Sequence, residues 1–348
     1  MERHHPRREP QARLSQAQLL ERVWGYRLSQ AIHVAARLGV PDLLACGTSR
    51  IDALAQATGC HAPSLYRVLR ALAGAGILEE IEPRIFALTS LGEALRSDVA
   101  GSIHAAVLML LDDWNWRPWA QLLHTVRTGE TAFRHVHGMP VFDYLSANPE
   151  AAASFDAAMG SLSAMQAPDI AKACDLSGTR EIIDVGGGRG TLLAALLRRH
   201  RDLRGVLFDV PHVVREAVPL LEREGVAGRC RLIGGNFFET LPRGADACLL
   251  RDILHDWDEE RAGLILANCR TALPAQGRLI LVERVVSRNL RAALPALLAD
   301  LEMLVNIGGR ERTEEELRAL LERGGFRWKR CIALGPGVQH KLIEATAL

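Results

Sequence analysis

Residues 181–191 read EIIDVGGGRGT, and this stretch decides the fold. Glu181–Val185 is a short apolar run of strand length, Gly186, Gly187, Gly188 and Gly190 form a turn, and Thr191–His200 has helical spacing. Glycines at such a turn let backbone N–H groups approach a ligand, and the following helix N-terminus favours negative charge. A dinucleotide pattern G-x-G-x-x-G starting at Gly186 would need glycine at 191, where Thr191 stands. What is present is D-x-G-x-G-x-G, with Asp184 two residues before the first glycine. A carboxylate there suits a cationic ligand end, an amino group or a sulfonium, better than a pyrophosphate.

Downstream, the rhythm stays strand then helix. Gly205–Val210, Arg231–Gly234, Ala247–Leu254 and Arg278–Val286 read as strands, Glu259–Ala272 as a helix and Lys341–Ala345 as a closing strand. Strands apolar throughout and alternating with helices predict an α/β domain with a mostly parallel sheet covered on both faces. Asp209 falls at the tip of the second strand, about 20 residues past the glycines, where an acid accepts hydrogen bonds from ribose hydroxyls. Its plainer role would be to cap a helix beginning near Pro211. Asn236 and Phe237 follow the third strand, an amide and a ring able to clamp a base. His255 follows the fourth, bordering the same cleft. These features sit at successive strand C-termini, and together they resemble the S-adenosylmethionine site of class I methyltransferases.

Before residue 175 the chain reads almost entirely helical. A basic flexible tail is expected over residues 1–14, a winged-helix-like unit over 15–100 and a helical linker over 101–174, ahead of the methyltransferase domain at 175–348. Within the second segment, Ile51–Thr58 and Pro63–Ala73 are helices, and Ile77–Glu80 and Arg84–Leu88 flank Glu82-Pro83 as a hairpin. A DNA-binding regulator is the reading of another class. Against it, the second helix offers only Arg67 and Arg70, and the wing carries Glu79, Glu80 and Glu82, which would repel phosphate. In the linker, Trp114, Trp116 and Trp119 crowd together and Phe133, Phe142, Tyr144, Phe155 and Met159 follow. Most fit a core, and some could wall an apolar pocket for a flat ligand.

The chain has 348 residues, 42 Lys plus Arg against 41 Asp plus Glu, and 48% hydrophobic residues. A near-neutral balance calls for neither nucleic acid nor an anionic membrane as partner, and no apolar run approaches membrane-spanning length. The N-terminus shows no signal-peptide pattern. Seven cysteines without a C-x-x-C pair predict buried, reduced thiols in a cytoplasmic protein, and no metal-ligand cluster is evident.

The motifs DVGGGRG, FDVPHV, GNFF, LLRDILHDWDEE, LILVERVV and GGRERTEEEL occur in that order, with PVFDYL and PEAAASFDAAM upstream. In this order the chain resembles the plant-type small-molecule O-methyltransferases (caffeate- and acetylserotonin-like) and their bacterial natural-product branch. The resemblance implies a class I methyltransferase Rossmann-like domain with a mostly parallel seven-stranded sheet, an N-terminal winged-helix dimerisation domain, and a homodimer. It implies His255 as general base flanked by Glu283 and Glu311. Gly186, Gly188, Asp184, Asp209, Asn236, Phe237, Arg251, Met159 and Ser163 would contact S-adenosylmethionine. Met303 and Asn306 would fall on the acceptor-pocket wall; Trp114 and Trp116, from the aromatic segment, are the further candidates for that wall. Asn236 stands where aspartate is common and Arg251 where lysine is frequent. Glu311, between Arg310 and Arg312, could alternatively belong to a surface ion pair. The implied reaction is methylation of a hydroxyl on an aromatic or polyketide-like molecule. Carbon or nitrogen methylation, or a bound cofactor without methyl transfer, are the rivals on the same fold.

Overall fold

Glycine and proline set the boundaries of the first helices. The structure, a computed structural model, describes residues 8–335 and 338–348, with side chains from Ser15 onward. Part of the expected tail lies outside the described residues, but helix α1 (Arg8–Arg37) already begins within it. The chain forms two compact units that meet in sequence at Asp112/Asp113, so the residues after Asp112 in the expected linker group with the methyltransferase sheet.

In the first unit, Gly39 takes a left-handed φ of 65° and Pro41 opens helix α2 (Val40–Ala45). Helix α3 (Ile51–Thr58) ends on left-handed Gly59, and α4 (Ala62–Gly74) follows. Strands β1 (Leu78–Glu82) and β2 (Ile85–Leu88) pair antiparallel as the wing. Ile51, Leu54, Leu69, Leu72 and Phe86 are almost completely buried between them. Each such side chain removes apolar surface worth about 1.5–3 kcal/mol. Of the wing's carboxylates, Glu80 accepts from the Tyr66 hydroxyl at 2.7 Å and from the Arg84 amide at 2.9 Å, whereas Glu79 and Glu82 are exposed. Leu19, Val23, Trp24 and Tyr26 of α1 are exposed in the single chain.

The second unit is built on strands β3 (Glu181–Val185), β4 (Arg204–Asp209), β5 (Cys230–Gly234), β6 (Ala247–Arg251), β7 (Arg278–Val286), β8 (Arg312–Thr313), β9 (Phe326–Ala333) and β10 (His340–Ala347). The seven main strands lie in the order β5-β4-β3-β6-β7-β10-β9. The first five are parallel, while β10 runs antiparallel to β7 and β9 antiparallel to β10. The two-residue β8 pairs with the C-terminal end of β7. Leu193, Leu196 and Leu197 fill one face of the sheet, and Ile265, Leu266 and Cys269 fill the other.

Two sequence expectations need correction. The fourth strand stops at Arg251, short of Leu254, because Asp252 adopts a left-handed φ of 52° and a 3-10 turn follows at Leu254–Asp256. Strand β9 had no counterpart in the reading. It is an edge strand whose Arg327, Lys329 and Arg330 are exposed, so it lacks the apolar run that marked the others. All seven cysteines are free thiols, but only Cys174, Cys248 and Cys269 are buried; Cys46 is exposed. Among the described residues, no helix is long and apolar enough to cross a membrane.

Candidate active site

The glycine turn is held from two sides. Gly186 donates its N–H to the Phe208 carbonyl at 2.8 Å, and Gly188 donates to Asp209 Oδ2 at 2.8 Å. Both glycines have left-handed φ, 68° and 57°. A Cβ on Gly186 would lie 2.4 Å from Ile253 Cδ1, and one on Gly187 would lie 2.6 Å from the Asp184 carboxylate. Side chains are therefore excluded here by packing as well as by backbone conformation. Asp209 does not cap a helix: the helix Pro211–Glu216 takes Val210 as its N-cap, and Asp209 instead ties the turn to the tip of β4.

Asp184 is buried, and its Oδ2 has no partner. Burial, reinforced by the nearby Asp209 charge and opposed by Arg251, pushes its carboxyl up to about 7. An orphaned buried carboxylate oxygen beside a side-chain-free turn fits a ligand that brings N–H donors and positive charge. The helix Pro149–Ala173 packs on the helix that follows the turn. Its Asp156 carboxyl is pushed up by burial, with Arg189 opposing and Glu216 and Asp209 adding to the rise, which places that helix near the turn. Ser163 on the same helix is buried and Met159 half-buried. Arg251 Nη2 reaches Gln166 Oε1 of this helix at 3.4 Å and Asp252 Oδ2 at 3.1 Å. Phe237 meets Phe238 and Trp257 edge to face and lies 3.7 Å from where a Gly186 Cβ would be. Asn236 is exposed and locally engaged, donating to Glu239 Oε1 and accepting from the Phe238 amide, both at 3.0 Å.

His255 lies in the 3-10 turn beyond β6 and is 8% exposed. Its Nδ1 is 3.0 Å from Glu311 Oε1, and its Nε2 is 3.3 Å from Asp256 Oδ1. Burial alone would favour the neutral ring, but Asp256, the Glu311 hydrogen bond and the Glu283 charge outweigh it, raising the imidazole to about 10. Glu311 is 4% exposed, so it is no surface ion pair; Arg310 instead reaches outward to Glu316. Arg312 is fully buried and donates to the Leu254 carbonyl at 2.7 Å and the Trp257 carbonyl at 2.9 Å, clamping the histidine's turn.

Glu283 flanks the histidine differently. Its Oε1 accepts from the Leu254 amide at 2.9 Å and the Ile253 amide at 3.3 Å. It is therefore an anchor for the turn's backbone. Burial, with Asp252 and Glu311 adding repulsion against the His255 attraction, pushes its carboxyl up to about 8. Asp252, Arg284 and His340 form a layer beneath: Asp252 Oδ1 is 2.7 Å from His340 Nε2 and 3.3 Å from Arg284 Nη1, which in turn is 3.7 Å from Glu311 Oε1. Sequence reading missed Asp252, Asp256, Arg284 and Arg312. Asp256, adjacent to the histidine in LHDW, carried the one available signal.

The residues expected at the acceptor wall come from two segments, bridged by Asn306 and Asn115. Met303 and Asn306 occupy a single π-helical turn, Met303–Ile307, whose continuation runs beneath the histidine: Arg310 donates its N–H to the His255 carbonyl at 2.7 Å. Asn306 Nδ2 donates to Glu302 Oε1 at 2.8 Å and Asn115 Oδ1 at 3.2 Å, leaving its buried Oδ1 unpartnered. Trp114 is buried, stacked on Tyr144 and edge-on to Phe133, with an unpartnered indole N–H. Trp116 is half-buried. A cavity of about 650 Å³ lies alongside, lined by Phe142, Asp256, Trp257, Arg134 and Arg261. Asp252, His255 and Glu283 also bring possible metal-ligand atoms within 4.8 Å of one another, a convergence not visible in the sequence. Two of the three are already committed, Asp252 to cations and Glu283 to backbone amides.

A parallel sheet with this strand order, a side-chain-free turn at its first strand and a buried, carboxylate-held histidine beyond its fourth define an S-adenosylmethionine-dependent methyltransferase. Comparison with known sequences agrees: residues 119–327 match an O-methyltransferase domain and residues 20–98 an O-methyltransferase dimerisation domain. The chain belongs to this O-methyltransferase family. It is 40% identical over 327 residues to phenazine O-methyltransferase PhzM of Lysobacter antibioticus, covering 94% of this chain and 95% of that one. It is 41% identical over 320 residues to the mitomycin biosynthesis 6-O-methyltransferase of Streptomyces lavendulae, covering 92% and 90%. The crystal structure of NcsB1, from neocarzinostatin biosynthesis, holds S-adenosylmethionine and 2-hydroxy-5-methyl naphthoic acid. It superposes with a TM-score of 0.78 at 33% identity, over 92% of this chain and 96% of that one. Nitrogen methylation also occurs among the relatives: the 8-amino-8-demethylriboflavin N,N-dimethyltransferase of Streptomyces davaonensis is 33% identical over 326 residues, 92% of each chain.

Proposed function

We propose that the enzyme methylates a hydroxyl of an aromatic or polyketide-like small molecule, with His255 as the proton acceptor. S-adenosylmethionine supplies an already activated methyl group, so the protein's tasks are alignment and provision of an oxygen lone pair. Asp184, Gly186, Gly188, Asp209, Phe237, Arg251, Met159 and Ser163 are the residues we assign to holding it. Asn236 would have to give up its contact with Glu239 to present its amide to the adenine. Trp114, Trp116, Met303 and Asn306 are assigned to the acceptor.

The observation that carries the reading is the buried His255 with Nδ1 against Glu311. A phenol near pKa ~10 costs about 4 kcal/mol to ionise at pH 7, at ~1.36 kcal/mol per unit. With the ring raised to about 10, the neutral imidazole is the minor form at pH 7. Once deprotonated it is about as basic as the phenolate and takes the proton at little further cost, so the base contributes more as pH rises toward 10. The resulting imidazolium stays paired with Glu311 and Asp256. Holding oxygen and methyl carbon in line contributes several further kcal/mol, within the ~7–11 attainable by orientation.

Nitrogen-methylating relatives support a second reading, transfer to an amine. A neutral amine already has its lone pair and gains little from a base before attack, so the histidine–glutamate pair favours the hydroxyl. Carbon methylation beside an acidic carbonyl would also use the base. The dimerisation-domain match and the exposed apolar residues of α1 support a homodimer through the N-terminal domain. The exposed wing carboxylates Glu79 and Glu82 would repel a phosphate backbone and give a DNA-binding regulator no support. Seven free thiols are in keeping with a reducing cytoplasm.

The test is incubation with methyl-labelled S-adenosylmethionine and a panel of phenols, naphthols, quinolones and aromatic amines, followed by NMR of any product. Label on oxygen supports the proposal. Label only on nitrogen or carbon, or no transfer despite cofactor uptake, overturns it.

A further inference from the structure

At the rim of the cavity that Asp256 and Trp257 line, a second group of side chains converges without an assigned role. The helices Leu122–Thr128 and Ala132–His137 are joined by a turn at residues 129–131. His124 from the first helix, Glu130 from the turn and His135 from the second each bring a ligand-type atom within 4.8 Å of the other two. His124 Nε2 is 3.1 Å from Glu130 Oε2. The two imidazoles stack with centroids 3.9 Å apart and planes 17° from parallel. Arg134 approaches the other oxygen of Glu130, Oε1, at 3.6 Å.

Packing does not explain this arrangement. Glu130 and His135 are exposed and His124 is half-buried, so none fills a core. Two imidazoles held face to face repel if both are protonated, and when neutral each offers a nitrogen lone pair. In a tetrahedral site with metal–nitrogen distances near 2.1 Å, ligand atoms sit about 3.4 Å apart. The in-plane lone pairs of the stacked rings do not yet converge, so binding requires the two imidazoles to rotate out of their stack, which their surface position permits. Two imidazole nitrogens and one carboxylate oxygen suit zinc, cobalt or nickel, whereas magnesium and calcium prefer all-oxygen shells.

We propose that His124, Glu130 and His135 bind one divalent transition-metal ion, with zinc the best match to the donors and water completing the shell. The ion would pin the two helices across their turn. Glu130, Thr131 and Arg134 of that turn and helix also line the cavity that Asp256 and Trp257 line, so the pin would stiffen a wall of that cavity. The other convergent group, Asp252, His255 and Glu283, is a poor rival because Arg251 and Arg284 already neutralise Asp252.

The experiment is calorimetric titration of the tag-free full chain with zinc chloride, repeated on H124A, H135A and the size-preserving H124Q, with circular dichroism confirming the fold. Because His4 and His5 are adjacent in the sequence, H4A/H5A serves as the control. One-to-one uptake is expected in the wild type and the control, weakened at least about tenfold in each site variant. Cobalt should give a visible-region spectrum that the site variants lose, and magnesium should give no uptake. Absence of one-to-one zinc uptake, or uptake unchanged in H124A, H124Q and H135A, overturns the proposal. Neither outcome depends on the role of His255.

Discussion

Glu311 Oε1 lies 3.0 Å from Nδ1 of His255 although 56 residues separate them in the chain. The pair fixes which ring nitrogen faces Glu311; the other, Nε2, lies 3.3 Å from Asp256 Oδ1 and is the nitrogen that the proposed mechanism uses. His255→Ala should lower turnover about 10²- to 10⁴-fold, the usual contribution of a positioned base. Calorimetric affinity for S-adenosylhomocysteine should stay within a factor of a few, because no cofactor residue is touched. Undiminished turnover would remove the base from the mechanism.

On the proposed mechanism, the ring's raised pKa sets the pH profile. A base must be unprotonated to act, so kcat/KM should climb with pH until about 10 in the wild type. Asp256→Asn and Glu311→Gln each remove an anion that stabilises the imidazolium, and both should move the rising limb to lower pH, toward the ordinary 6.5. A limb that stays in place in both variants would show that another group controls it.

Glycines 309 and 186 are predicted to be intolerant for different reasons. A Cβ at Gly309 would lie 1.9 Å from the His255 carbonyl oxygen, a backbone atom that cannot rotate away. Gly309→Ala should therefore destabilise the fold by about 1–3 kcal/mol in urea denaturation and depress kcat more than KM. Gly186→Ala combines a φ of 68° with a 2.4 Å approach to Ile253, so it should weaken cofactor binding, read by calorimetry. Wild-type behaviour in either variant contradicts this packing.

Glu283 links stability to pH. Its folded carboxyl is raised to about 8 from an ordinary value near 4.5, so the folded chain holds that proton more tightly than the unfolded one. The stability it contributes is fully present below about 4.5 and is lost as pH rises through about 8. Glu283→Gln keeps an oxygen for the Ile253 and Leu254 amides but cannot ionise. Urea midpoints of that variant should be flatter than wild type between pH 5 and pH 8; parallel curves would refute the assignment.

The sheet was legible because buried parallel strands are continuous apolar runs: Glu181–Val185, Arg278–Val286 and the helix Glu259–Ala272 fall where the residues put them. Edge strand β9 was not, since one exposed face breaks its apolar pattern. Nor was the end of β6, because nothing in its composition announces a left-handed Asp252. At the site, the ordered motifs pointed to His255, Glu283 and Glu311. They could not tell that Glu311 touches the ring while Glu283 grips the backbone, a distinction that only tertiary packing creates. Arg284 and Arg312 escaped for the same reason: an arginine reads as surface until its partners fold around it.

The π-helical turn at Met303–Ile307 is followed within four residues by the glutamate that orients the histidine. Transplanting this loop from a relative would therefore also move the carboxylate held against His255, the proposed base. Insertions or deletions here would be felt at the imidazole before they were felt by a new substrate, so useful specificity changes should come from side-chain exchanges that preserve the loop's length.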